Sequence, residues 1–218
     1  GLSAYLRTTR SVRMAVIVSM PLSLSAADMD GPARVAPDRL RAMSTPMSFP
    51  AVIELVVEIP AGSRNKYEYD EEAKVIRLDR VLSSAVFYNF DYGFIEGTRA
   101  DDGDHTDAML LIDEPTFPGC HVWARPVGVL KMADEQGIDY KVLCVALADP
   151  MYAHLEALRQ VSPHKLREIE QFFHTYKNLE DKSVEIDGWA GVAETLEILR
   201  FDRDRYVKEQ AAEGPEPA

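Results

Sequence analysis

Cysteine is nearly missing: Cys120 and Cys144 are the only two in 218 residues. They stand in no metal-ligand spacing and fall inside apolar, strand-like runs, so free buried thiols in a reducing, cytoplasmic compartment are expected. No apolar run is long enough to span a bilayer, which argues against a membrane partner. Basic residues are also short, with 24 Lys plus Arg against 36 Asp plus Glu, a formal charge of -12. That deficit argues against a nucleic-acid partner, since a phosphate backbone needs positive potential. An anionic small substrate would be repelled too, unless bound metal inverts the local sign. Internal repeats and domain boundaries are absent. The length and the 46% hydrophobic content suit one domain with a real core.

The first 46 residues read differently from the rest. Arg7, Arg10 and Arg13 precede an apolar run from Met14 to Leu24, ending in Ser25-Ala26-Ala27, a superficial signal-peptide pattern. The favoured reading is an upstream stretch, cloned or translated ahead of a natural start at Met43 or Met47. It is expected to be poorly ordered and to carry none of the chemistry. The domain is expected over residues 47–210, with a frayed tail over 211–218.

What the chain does have is concentrated acid. Asp102-Gly103-Asp104-His105-Thr106-Asp107 places three carboxylates within six residues, and Asp134 and Asp139 follow. Like charges at short range oppose each other's ionisation, so the cluster is costly without cations. A site for hard divalent metals, which take oxygen ligands, explains it most simply. An EF-hand starting at Asp102 would need Gly sixth and Glu twelfth, where this chain has Asp107 and Asp113. A calcium sensor is thereby disfavoured.

Strand signals run from Ala51 to about Leu147. Val52–Ile59 is rich in β-branched residues and stops at Pro60; Lys66–Asp70 and Val75–Arg80 flank a turn at residues 71–74. Further strands fit Ala108–Ile112, Val122–Met132 and Tyr140–Leu147, punctuated by Pro115, Pro118-Gly119 and Gly137. Many short strands predict a closed or sharply curved antiparallel sheet. Helices come last. Ser162-Pro163 is a good helix start, followed by Leu166, Ile169, Phe172, Phe173 and Tyr176 at helical spacing. A second helix is expected from Gly191 to Lys208, with Val192, Leu196, Leu199 and Phe201 toward the core. The fold class is α+β, a β-barrel with helices outside.

Residues two apart on an extended segment share a face. That rule pairs Lys66 with Glu68, Asp102 with Asp104, and Asp139 with Lys141, mixing anions for metal with cations for an anionic substrate. Tyr88 and Tyr92 lie in Phe87–Phe94, a run that reads as too polar for simple core. Arg80 ends a strand just before it, and Tyr176-Lys177 closes the aromatic helix.

Together these pieces resemble family I soluble inorganic pyrophosphatases of the bacterial type, from about Glu54 to Phe201. The resemblance rests on Glu58-Ile59-Pro60, Lys66-Tyr67-Glu68, Leu78-Asp79-Arg80, Phe87-Tyr88, Asp91–Ile95, Asp102–Asp107, Arg125–Met132, Asp134-Glu135, Asp139-Tyr140-Lys141 and Phe172–Lys177, in that order. It implies an OB-like five-stranded antiparallel barrel with flanking helices, assembled as a homo-oligomer, usually a hexamer. It implies hydrolysis of pyrophosphate to two phosphates with several Mg²⁺ ions, Mn²⁺ or Zn²⁺ being substitutes. By position, Asp102, Asp107 and Asp139 match ligands of a first metal, and Asp107 bridges to a second. Asp134 and Asp139 match ligands of a substrate-associated metal, and Glu58 and Glu68 match carboxylates that hold further ions. Lys66, Arg80, Lys141, Tyr176 and Lys177 match groups that grip phosphate oxygens. Tyr92 matches a tyrosine beside nucleophile and substrate, and Tyr88 a neighbouring site residue. Asp104 matches the general base, with Asp139 as the rival.

One departure matters. The family motif usually has Pro and then an apolar residue where this chain has His105 and Thr106, so the loop carrying Asp107 loses a stiffening element. His105 is expected to face solvent, with coordination of a transition metal the alternative. Two other functions compete: an OB-like binding module, which needs aromatics in a basic groove, and a catalytically inactive metal-binding paralogue.

Overall fold

β-branched residues and leucine fill the first barrel strand, β1 (Ile53–Ile59), and one residue interrupts its pairing. Val57 pairs with Gly93 and Ile59 with Tyr92, which leaves Glu58 as an extra residue in a β-bulge. The computed structural model describes residues 48–134, 137–180 and 184–213. The expectations for residues 1–46 and for the tail from 214 lie outside those residues.

The remaining elements are β2 (Asn65–Asp70), β3 (Val75–Val81), β4 (Asp91–Ile95), β5 (Asp107–Leu111), β6 (His121–Asp134), β7 (Gly137–Ile138) and β8 (Lys141–Ala146), then α1 (Pro163–Thr175), β9 (Glu185–Ala190) and α2 (Val192–Glu213). Hydrogen bonding runs β1-β4-β5-β8-β6 and returns from β6 to β1, closing an OB-like five-stranded barrel. β7 and β9 extend it from β6, while β2 and β3 form a separate hairpin. The barrel is mixed rather than wholly antiparallel, because β5 and β8 run parallel, Ala108 opposite Val142 through Leu111 opposite Val145. A continuous apolar run shows that both faces are covered but not which way the neighbouring strand runs, so the sequence does not reveal this pairing.

Two buried clusters hold the layers together. Alternate residues of β5 and β8, Ala108, Leu110, Val142 and Cys144, join one cluster with Leu199 of α2. The residues between them, Met109, Leu111, Leu143 and Val145, join the other with Ile169, Phe172 and Phe173 of α1. Both strands are therefore covered on both faces, which explains their continuous apolar sequence.

Several expectations need correction. Phe87–Phe94 is not too polar for core: Asp91–Ile95 is a strand buried throughout. Asp91 is tolerated there because its carboxylate accepts from Ala61 N at 2.7 Å and from Thr116 N and Oγ1 at 2.9 and 2.6 Å. At Gly93 any side chain would collide with the Val56 carbonyl of β1, at 1.9 Å. Cys144 is buried in β8, but Cys120 lies just ahead of β6 and is only half-buried; both are free thiols. α2 continues to Glu213, beyond the expected helix end at Lys208. Phe201 points outward, 62% exposed, because the inward stripe of α2 passes through Leu199 and Asp202.

Candidate active site

The parallel pairing of β5 and β8 sets the floor of the site. Parallel neighbours bring their leading ends together, so Asp107, first in β5, lies beside Lys141, first in β8. The Lys141 ammonium bonds both Asp107 and Asp139, two residues before it, as their sharing of one face predicts. It lies 5.8 Å from the ring centre of Tyr92 on β4. Burial opposes charge on Lys141, but the two carboxylates outweigh it and raise its pKa. Burial also pushes the Tyr92 hydroxyl well up, reinforced by Asp107 and Asp139, so it stays a donor.

The bulge in β1 aims Glu58 into the same cavity, where it accepts from Tyr69 N at 2.6 Å. Burial, with Asp107 nearby, pushes its carboxyl up to about 8. A second bulge, in β3, makes Asp79 the extra residue between Arg80, opposite Lys66, and Leu78, opposite Tyr67. Consecutive residues Asp79 and Arg80 thus both line the cavity. Lys66 pairs with Glu68 and stands 3.5 Å from Asp79, which also pairs with Arg80.

Asp102 and Asp104 reach the cavity by another route. They share a turn rather than an extended segment: Gly103 has φ +93°, and Asp104 N donates to Asp102 Oδ1 at 3.0 Å. Burial, then Asp102 and Asp107, raise the Asp104 carboxyl's pKa. Tyr176 follows α1, its N–H donating to the Phe172 carbonyl, and Lys177 lies 5.4 Å from its ring centre.

All these groups line one cavity of about 610 Å³: Glu58, Lys66, Glu68, Arg80, Tyr92, Asp102, Asp104, Asp107, Asp139, Lys141, Tyr176 and Lys177. One expected residue, Tyr88, does not join them. Tyr88 is 1% exposed and packs against Phe90, Tyr92 and Phe172 behind the cavity wall, so it supports the site rather than lining it. Asp134 ends β6 opposite Gly137, and its side chain lies outside the described residues. His105 does not face solvent. Its side chain is 13% exposed, stacked on Phe94, with Nδ1 donating to the Thr98 carbonyl at 2.8 Å and Nε2 3.0 Å from Glu71 Oε1. Both ring nitrogens face protein oxygens, and the residue itself lines the cavity.

Glu71, Asp79 and Arg99 also line the cavity, although the sequence alone assigns them no role. Asp79 sits inside a family motif; Glu71 and Arg99 carry no local signal, because only tertiary contacts bring them in. The donor set fits hard divalent ions: every acidic group is an oxygen ligand, and buried Glu58 sits against Asp107, the frustrated charge that a cation relieves. Among the described residues, Glu54, Glu96 and His121 also bring ligand atoms within 4.8 Å of one another, away from this cavity. They are partly or fully exposed, and His121 Nδ1 is hydrogen-bonded to Glu54 Oε1 at 2.9 Å, an ordinary surface contact.

Comparison with known proteins agrees with this geometry. The sequence profile described as inorganic pyrophosphatase matches residues 55–207. The inorganic pyrophosphatase of Methanosarcina acetivorans is 51% identical over 157 residues, covering 72% of this chain and 94% of that protein. That of Nostoc sp. strain PCC 7120 is 53% identical over 150 residues, 69% of this chain and 89% of its own length. The crystal structure of inorganic pyrophosphatase from Thermus thermophilus superposes with a TM-score of 0.72 at 43% identity, covering 73% of this chain and 94% of that one. Closed mixed barrel, acidic cavity, profile and relatives converge: the chain belongs to the family I inorganic pyrophosphatases, enzymes that hydrolyse pyrophosphate.

Proposed function

We propose that the cavity hydrolyses inorganic pyrophosphate to two phosphates, with Mg²⁺ as the natural cofactor. The observation that carries this reading is one cavity holding at least six carboxylates interleaved with Lys66, Arg80, Lys141 and Lys177. Glu58, Glu68, Asp102, Asp107 and Asp139 are the groups that would hold the ions, with Asp134 a further candidate at the end of β6. Bound divalent ions supply counter-charge and make a coordinated water more acidic.

The chain's own groups do the rest. Asp104, its pKa already raised, accepts the proton of the attacking water and orients it; Asp139 is bonded to Lys141 and is the poorer base. Arg80 offers a planar fork to phosphate oxygens, whereas Lys66 and Lys177 act as point charges. Lys141, held between Asp107 and Asp139, keeps a fixed positive charge at the floor. Tyr92 and Tyr176 donate hydroxyl hydrogen bonds, burial raising both pKa values. Charge growing on the leaving phosphate thus meets preorganised donors and cations, and it is this electrostatic stabilisation that lowers the barrier most in phosphoryl transfer.

The test is phosphate release from pyrophosphate, titrated with Mg²⁺, Mn²⁺ and Zn²⁺. Release in Mg²⁺ well above a metal-free blank is expected; none would overturn the reading. Asp104→Asn separates the inactive paralogue, which predicts no change, from the enzyme, which loses turnover while retaining metal. A homo-oligomer, hexameric by family, and a cytoplasmic location complete the proposal. Exposed Trp123 and Phe117 are surfaces a second copy would cover, and light scattering on the purified chain tests the assembly.

A further inference from the structure

The turn that carries Asp102 and Asp104 is not held by packing. Gly103 has a positive φ, and a side chain there would meet nothing within 4 Å. The turn closes on itself through Ala100 N to the Asp104 carbonyl at 2.8 Å and Gly103 N to the Ala100 carbonyl at 3.3 Å, and what ties it to the rest of the fold is a set of polar bonds converging on Arg99. Arg99 Nη1 donates to the Gly103 carbonyl at 2.8 Å and lies 3.1 Å from Glu71 Oε1, at the tip of the β2–β3 hairpin. Its Nε donates to Glu209 Oε2 at 2.8 Å, and its guanidinium lies 5.7 Å from the Tyr206 ring centre. The side chain is only 12% exposed. Its bonding groups are turned to the protein, so it is not arranged as a phosphate fork.

The helix side of this clamp has a simple sequence basis. Asp202, Arg205, Tyr206 and Glu209 stand at i, i+3, i+4 and i+7, one face of α2. Asp202 accepts from the Thr106 hydroxyl at 2.8 Å through Oδ2 and from Arg99 N at 3.0 Å through its carbonyl. Arg205 donates to the Arg99 carbonyl at 3.1 Å and pairs with Asp101. His105 adds a second link to Glu71. α2 and the hairpin tip thus hold the acidic turn from two sides.

We propose that Arg99 is a positioning residue, fixing the turn that presents Asp102 and Asp104 and thereby setting the cavity's affinity for divalent ions. The activity arm of this inference rests on the pyrophosphatase reading; the binding arm does not. The experiment compares purified wild type with Arg99→Ala, measuring Mn²⁺ binding by electron spin resonance without pyrophosphate and hydrolysis across Mg²⁺ concentrations. Arg99→Ala is expected to weaken Mn²⁺ binding about 10-fold, the usual cost of losing a partner that orients metal ligands. The half-activating Mg²⁺ concentration should rise in parallel. At saturating Mg²⁺, kcat and the KM for pyrophosphate should return to near wild-type values. Mn²⁺ affinity unchanged in the folded variant overturns the proposal. So does a raised KM with metal binding intact, since Arg99 would then act on substrate directly. Should Arg99→Ala fail to fold, Glu209→Gln removes only the helix anchor, and a smaller weakening in the same direction is expected; no weakening overturns the proposal. A wild type that binds Mn²⁺ but releases no phosphate defeats the functional reading and leaves the binding comparison to decide on Arg99.

Discussion

The floor and the rim of the cavity present the same acidic chemistry but are built in opposite ways. At the floor, Asp107, Asp139, Lys141 and Tyr92 sit on or beside barrel strands, fixed by register and by burial on both faces. At the rim, Asp102 and Asp104 sit on a turn that is open around Gly103, closed by its own backbone bonds and tied by side-chain bonds to α2 and to the hairpin tip. Removing a floor charge should therefore damage stability and catalysis together. Altering the rim should change metal affinity or rate while leaving the fold intact.

The largest expected effect is at Lys141. Lys141→Met leaves Asp107 and Asp139 facing each other without their shared ammonium, and breaking such a buried pair costs about 3 kcal/mol or more. Hydrolysis should fall about 10³-fold, as when a preorganised donor is lost. Added Mg²⁺ should recover part of the lost thermal stability; a denaturation midpoint equal to wild type without metal would break the contrast. Asp104→Asn comes next: turnover should drop about 10²-fold, the scale of a lost general base. Its melting temperature should stay close to wild type, and a large drop would show that the turn is structural after all.

A subtler effect concerns Asp202, which joins rim to helix. Burial pushes its carboxyl up to about 6, against the lowering influence of the Thr106 hydroxyl and Arg205 and alongside Asp101 and Asp102. An unfolded aspartate titrates near 3.9. Between roughly pH 4 and pH 6 the folded state holds a proton that the unfolded state has lost, so this group's contribution to stability falls as pH rises through that window. Asn cannot ionise, so the melting temperature of Asp202→Asn relative to wild type should climb from pH 4 to pH 7. A flat difference would show that Asp202 does not titrate between those limits. Smallest of all, Phe201→Ala on the outer face of α2 should shift monomer stability by less than about 0.5 kcal/mol.

Much of this is legible in the chain. β1, the β2–β3 hairpin, β6 and both helices follow from apolar patterning, and twelve cavity residues from motifs in order. β4 escapes a pattern-based reading because the buried, fully bonded Asp91 breaks the hydrophobic run. β9 escapes it because Glu185–Ala190 is short and charged, and gains its strand state by pairing with β6. Tyr88 reads as a site residue from its neighbours in sequence, yet its ring packs into the aromatic cluster. His105 reads as a solvent-facing loop residue, and only Thr98, Phe94 and Glu71, distant in sequence, cover it.

The order of residues alone determined which carboxylates, lysines and tyrosines are available to the cavity, because motif chemistry is local. It also set the faces of the helices, since periodicity is written residue by residue. Only the folded chain decided that β5 and β8 run parallel, that bulges turn Glu58 and Asp79 into the cavity, and that Arg99 reaches from the acidic turn to Glu209. Those outcomes depend on backbone hydrogen-bond register and on contacts between residues as many as 110 apart, and neither quantity is carried by any single stretch of sequence.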